Sequence, residues 1–174
     1  MMMQEKKPTK YYSDRQESMV AAYLGWKKVA ASGARPFHKG DVESDEYVAE
    51  CKTTVHNRNA IVFRFEHFDK ICLEAESSMR KPVLITDIGT QRAEDSWVMV
   101  KMILSPNMSF INVEDMSDCI RIAKNRITFN PDSVRSIEWW DFVCAIKASV
   151  GDTDVLIMPL STFKRMVNGE FDDD

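Results

Sequence analysis

Asp41, Glu50 and Lys52 fall within one short stretch, KGDVESDEYVAECKTT. Two carboxylates and one ammonium are the side chains that hydrolysis of a phosphodiester calls for. That reaction must neutralise a pentavalent phosphorane and activate a water molecule. Two carboxylates can hold Mg²⁺, a hard ion that prefers oxygen ligands, and Mn²⁺ is able to substitute. The metal lowers the pKa of its water and stabilises the charge that develops. Lys52 would orient that water or stabilise the transition state. With its pKa lowered by burial near a cation, it would serve as a general base. The backbone carbonyl of Cys51, between the two chemical positions, is a natural extra ligand.

Strand parity supplies a reason for the three to converge. Side chains alternate along a strand, so Glu50 and Lys52 share a face. Residues 41–43 and 46–54 read as a hairpin around Ser44-Asp45. A two-residue loop there sets position 43 against 46 and 41 against 48, which puts Asp41 on the face of Glu50 and Lys52. A three-residue loop would turn Asp41 to the other face. The plain alternative is a charged, solvent-facing hairpin, and a Glu-x-Lys triplet alone is weak evidence.

The elements around the hairpin follow from periodicity. Residues 13–25 read as a helix, with Ser13 and Gln16 in a capping-box pattern and Gly25 as its stop. Val20, Tyr23 and Leu24 make its apolar stripe, and Glu17 sits on the stripe's edge. A short strand over 26–31 leads into the loop SGARPFHKG. An extended piece over 59–65 precedes an amphipathic helix over 66–80, carried by Phe68, Ile71, Cys72, Ala75 and Met79 and ended by Pro82. Strands are expected at 83–88, 97–104 and 155–158. A helix is expected at 114–125, with Met116, Ile120 and Ala123 inward, and another through Phe163 and Val167. Residues 126–150 carry no clear period. This order implies an α/β sandwich with a mixed sheet.

The chain has 174 residues, enough for one domain with a substantial core. No window approaches a membrane-spanning apolar run, and the N-terminal MMMQEKKPTK does not read as a signal peptide. Cys51, Cys72, Cys119 and Cys144 are widely spaced and read as structural thiols of a reducing cytosol. The net charge of -4 argues at first against nucleic acid. Its distribution reverses that: residues 1–60 hold ten Lys/Arg and eight Asp/Glu, so the remainder carries the negative excess. A cation bound at Glu17, Asp41 and Glu50 would make the first segment electropositive. The tail GEFDDD reads as a solvated end.

The run SGARPFHKGDV followed by ECKTT resembles the PD-(D/E)xK nuclease superfamily. It is most similar to the branch holding archaeal and phage-encoded Holliday-junction resolvases. The matching positions are Glu17 on the first helix, Ser32-Gly33 after the first strand, Gly40-Asp41, and Glu50-Cys51-Lys52. Gly40 stands where the nominal signature has proline, as is common in this branch. The resemblance covers residues 13–88 and, more loosely, 155–167. The family core would span 13–102 and 153–168 of a single nuclease domain, with 103–150 an insertion or elaboration. It implies a restriction-endonuclease-like mixed β-sheet flanked by helices. It also implies an Mg²⁺-dependent endonuclease that resolves branched DNA as a homodimer in the cytoplasm of a bacterial or archaeal cell, with a phage-encoded origin among the options. Asp41 and Glu50 would bind the metal, with the Cys51 carbonyl and Glu17 assisting.

Arg35, His38 and Lys39, flanking Gly33, Pro36 and Gly40, suit a loop that grips DNA phosphates. Ser32 would bond a phosphate or the loop backbone, and parity gives Thr54 to the catalytic face. Lys70 reads as a solvated helix lysine, with a second catalytic cation as the alternative; Trp139 and Trp140 read as packing residues, with base stacking as the alternative; His56 and His67 receive no role. Two other functions compete. One is restriction-type or exonuclease cleavage of linear duplex. The other is a non-catalytic DNA- or protein-binding module on the same fold.

Overall fold

The computed structural model describes residues 7–30, 40–103, 105, 107–138 and 140–172. In chain order the elements are α1 (Thr9–Leu24), β1 (Lys27–Lys28), β2 (Val42–Glu43), β3 (Tyr47–Lys52), β4 (Ile61–Arg64), α2 (Phe65–Ser78), β5 (Lys81–Asp87) and β6 (Ser96–Lys101). They continue with β7 (Phe110–Asn112), β8 (Ile120–Ala123), β9 (Arg126–Phe129), α3 (Pro131–Arg135), β10 (Ala145–Val150), β11 (Thr153–Pro159) and α4 (Leu160–Val167). The fold is α/β. A mixed sheet runs β1-β2-β3-β5-β6-β11-β10-β7, and a second, three-stranded sheet runs β4-β9-β8. Within the large sheet β3 and β5 pair in parallel, as do β7 and β10.

Both faces of the large sheet are covered, which explains the unbroken apolar run in β5. Leu84, Trp97 and Met99 face α2 and the small sheet, where they meet Phe63, Phe68, Ile71 and Phe129. Val83, Ile85, Val98 and Leu156 face the other way, onto Val20, Leu160 and Phe163. Alternation therefore sends Val48 toward α2 and Ala49 and Cys51 away from it. Among the described residues no helix is long and apolar enough to cross a membrane. All four cysteines are free thiols.

Several expected elements differ. The first helix begins at Thr9 behind Pro8, so Ser13 lies inside it and caps nothing. The first strand is only Lys27–Lys28. The 66–80 helix ends at Ser78, not through Pro82: Met79 takes a left-handed conformation at φ 54° and the Arg80 amide bonds back to the Ala75 carbonyl. Pro82 lies inside β5. The expected helix at 114–125 is absent. A short 3₁₀ turn at Val113–Met116 precedes the β8–β9 hairpin, closed at Lys124-Asn125. Met116 and Ile120 do match a helical period, but past Ile120 it ends: Ile120 is 4% exposed and Ile122 is 51% exposed, and only β9 alternates, with Ile127 and Phe129 buried. Residues 103–150 contribute β7 and β10 to the large sheet and β8 and β9 to the small one.

Candidate active site

The β2–β3 hairpin sets the site. Its register pairs Val42 with Ala49 and Glu43 with Val48. One further step places Asp41 opposite Glu50. The connecting loop is thus Asp45-Glu46, with the Ser44 amide bonded to the Tyr47 carbonyl, and not Ser44-Asp45. The register differs from the expected one by two residues, so parity is preserved and Asp41 still shares the face of Glu50 and Lys52. Gly40 makes the approach possible. Its φ is +90°, and a Cβ there would stand 2.4 Å from Val48 Cγ2.

Backbone and charge hold the three side chains. The Asp41 amide donates to the Ala49 carbonyl at 2.8 Å, and the Cys51 amide donates to Asp41 Oδ2 at 2.8 Å. Glu50 is 3% exposed. Its Oε1 accepts from Lys52 Nζ at 2.6 Å and from Lys70 Nζ at 3.3 Å. Burial raises the Asp41 carboxyl to a pKa of about 6, and the facing Glu50 charge adds to that. Burial pushes Glu50 up too, but the hydrogen bond and charge of Lys52, then the charge of Lys70, outweigh it and leave Glu50 below the ordinary range. Glu17 is raised chiefly by burial and pairs with Lys28 at 3.5 Å. Asp41 feels the charges of Glu50 and Glu17, and Glu17 feels those of Asp14 and Glu50, so the acidic patch is electrostatically linked.

Asp41 and Glu50 are the residues here that could hold a hard divalent cation. Asp41 spends Oδ2 on the Cys51 amide and Glu50 spends Oε1 on the lysines, which leaves each a second oxygen. Among the described residues no three His, Cys, Asp or Glu side chains stand close enough to enclose an ion. Two carboxylates completed by water is an ordinary arrangement for Mg²⁺. The Cys51 thiol is pushed up by burial in the opposite core, so it is the backbone of this residue that meets Asp41.

Gln16 plays a part that its assignment as a cap did not anticipate. Its side chain is fully buried, and Nε2 donates to the Lys52 carbonyl at 2.7 Å. α1 thereby fixes the end of β3. The available signal was a polar residue four positions before Val20, on the inward stripe. Gln16→Ala takes this donor from the partly buried Lys52 carbonyl, and we expect it to cost about 1–3 kcal/mol in urea unfolding. Lys70 is exposed, as a solvated helix lysine, and also reaches Glu50. Its i+4 partner Glu74 lies 3.8 Å away, and together with Glu50 it draws the lysine toward the site.

Beyond Lys52 a second network braces the strand end. Asp87 is 3% exposed. Its Oδ1 accepts from Thr53 Oγ1 at 2.6 Å and from the Gly89 amide at 2.7 Å, and its Oδ2 accepts from the Gln91 amide at 3.0 Å. Gln91 Nε2 donates back to Thr53 Oγ1 at 2.9 Å. Thr54 turns its hydroxyl to the His56 carbonyl at 2.7 Å. A cavity of about 180 Å³ opens here, lined by Lys52, Thr54, Arg58, Arg64, His67 and Arg126, and by Asp87. A neighbouring cavity of about 460 Å³ shares Thr53, Thr54 and Arg58 and reaches Thr9 and Tyr12 of α1. Ser32, Arg35, His38 and Lys39, expected to grip phosphates, lie outside the described residues, as does Trp139. Trp140 packs on Trp97 with ring centroids 5.8 Å apart. Set against known proteins, the chain matches no family model, no curated protein and no solved structure.

Proposed function

We propose that the chain is an Mg²⁺-dependent DNA endonuclease, with Asp41 and Glu50 holding the metal and Lys52 serving the water. One observation carries this reading. Asp41 stands opposite Glu50 on the face that also presents Lys52, with Lys52 Nζ 2.6 Å from Glu50 Oε1. A bound Mg²⁺ would activate water and offset charge on the phosphate. The chain's residues do the rest. Asp41 is held by the Cys51 amide, so its second oxygen points with little freedom. Glu50 keeps Lys52 at the site as a fixed ammonium, able to orient water or stabilise charge. Glu17 adds negative charge at the cluster's edge.

Branched DNA cut by a homodimer is the leading substrate reading, because two symmetric strands ask for two symmetric sites. Linear duplex is the alternative. The test is cleavage of a four-way junction and of linear duplex of the same sequence, with Mg²⁺ and with chelator. We expect metal-dependent cleavage, faster on the junction. Equal or faster cutting of linear duplex overturns the junction assignment, and no cutting of either overturns the enzyme. The Lys52–Glu50–Lys70 ion pairs favour a second reading, a non-catalytic binding module in which lysines neutralise Glu50 permanently. Absence of Mg²⁺ or Mn²⁺ binding by calorimetry would select it.

A further inference from the structure

The cavity beside Lys52 is cationic and unbalanced. Arg58, Arg64 and Arg126 line it with Lys52, and all three arginines are exposed. Among the described residues none of the three has a carboxylate partner. By contrast Arg80, Arg92 and Arg165 pair with Glu43, Glu94 and Glu170. The one carboxylate in the lining, Asp87, is already taken by Thr53, Gly89 and Gln91. Arg64 and Arg126 also stand directly opposite each other across β4 and β9. Like charges in that position destabilise a strand pair. Arg64 is the residue before α2 and His67 lies in that helix's first turn, beside Glu66, so the N-terminal end of a 14-residue helix borders the same space.

We infer that this cavity seats a backbone phosphate of a nucleic-acid strand, gripped by Arg58, Arg64 and Arg126. The inference rests on the nuclease reading for its choice of anion. Guanidinium forks match phosphate oxygens bidentately, and an anion between them relieves their charge repulsion. Lys52 lines the cavity and contacts Glu50, so a strand held there leads directly to the carboxylates. The adjoining cavity continues the path along Thr54 and Arg58 to α1. Arg126 comes from the β8–β9 hairpin, which gives residues 103–150 a role in holding substrate.

The test is anisotropy of a labelled DNA duplex in chelator, where nothing is cut, comparing the wild type with Arg64→Gln/Arg126→Gln. We expect affinity to fall about 10- to 100-fold, equally for unrelated sequences. The slope of log affinity against log salt should fall by about 1–2. The double variant should melt no lower than the wild type, since it loses a like-charge pair. If it fails to fold, Arg58→Gln, in the loop before β4, carries the test, with a loss of several-fold expected. Unchanged DNA affinity in the folded variants overturns the inference. Inorganic phosphate that protects the wild type alone against heat, with DNA affinity unchanged, would make this a free-phosphate site and also overturn it. A variant-dependent loss of binding in a protein that never cuts DNA with Mg²⁺ would sink the nuclease reading and leave the cavity's assignment standing.

Discussion

Asp41→Asn should abolish Mg²⁺-dependent cleavage, by a factor of about 10³ or more, while making the metal-free protein more stable at neutral pH. The two effects have one cause. Asp41 is held among Glu50, Glu17 and apolar walls, and its carboxyl is raised from 3.8 to about 6. The folded state therefore binds this proton more tightly than the unfolded chain does. Stability from that preference is fully present below about pH 4 and is lost as pH rises through about 6. Asparagine removes the charge and keeps an oxygen for the Cys51 amide. At pH 8 the variant should be more stable by about 1–3 kcal/mol, the lower figure allowing for partial exposure. Near pH 4 the two proteins should melt together. Adding Mg²⁺ should raise the wild-type melting temperature and leave the variant's unchanged, because only the wild type gains binding free energy. Thermal melts across pH, with and without Mg²⁺, check all of this. A variant that melts lower than the wild type at pH 8, or that cuts DNA at full rate, would contradict the assignment of Asp41.

The parts of the fold that were legible in the sequence are those where local period and burial agree. The 66–80 helix and the 83–88 and 155–158 strands appear as α2, β5 and β11 within a few residues. The hairpin was readable in parity but not in register. Ser44-Asp45 and Asp45-Glu46 are equally plausible turn pairs, and a shift of two leaves every side chain on its own face. What failed was the region after residue 113. There Met116, Ile120 and Ala123 fit a helix by spacing, yet Ile120, Ile127 and Phe129 are buried by the small sheet, whose third strand, β4, lies some sixty residues earlier. No local pattern announces a partner that distant. The site divides the same way. Asp41, Glu50 and Lys52 share one hairpin, and alternation alone brings them together. Gln16, Lys70 and the Arg64–Arg126 pair depend on which helix and which strand come alongside, so their roles needed the tertiary structure.

Lys52 and Lys70 both touch Glu50 Oε1, and their substitutions should separate catalysis from charge balance. Lys52→Ala should lower cleavage by about 10²–10⁴-fold if this ammonium serves the water or the transition state. Lys70→Ala should cost no more than about tenfold, because Lys70 shares itself with Glu74 and leaves the 2.6 Å Lys52 contact in place. Stability should follow a different ranking with pH. In the wild type the lysines hold Glu50 below its ordinary value against the opposing effect of burial. That contribution is present above the unfolded-state pKa, near 4.5, and is lost as pH falls through the lower folded value. Without Lys52, burial meets only the weaker pull of Lys70, so Glu50 moves up. The buried carboxylate then costs about 1–3 kcal/mol at pH 7. Mg²⁺ should return part of that loss in Lys52→Ala, since the cation replaces the missing positive charge beside Glu50, without restoring the rate. Equal loss of cleavage in the two variants would reduce Lys52 to a counter-ion. Full cleavage by Lys52→Ala would remove it from the chemistry and leave Asp41 and Glu50 as a metal site with another source for its water-orienting group.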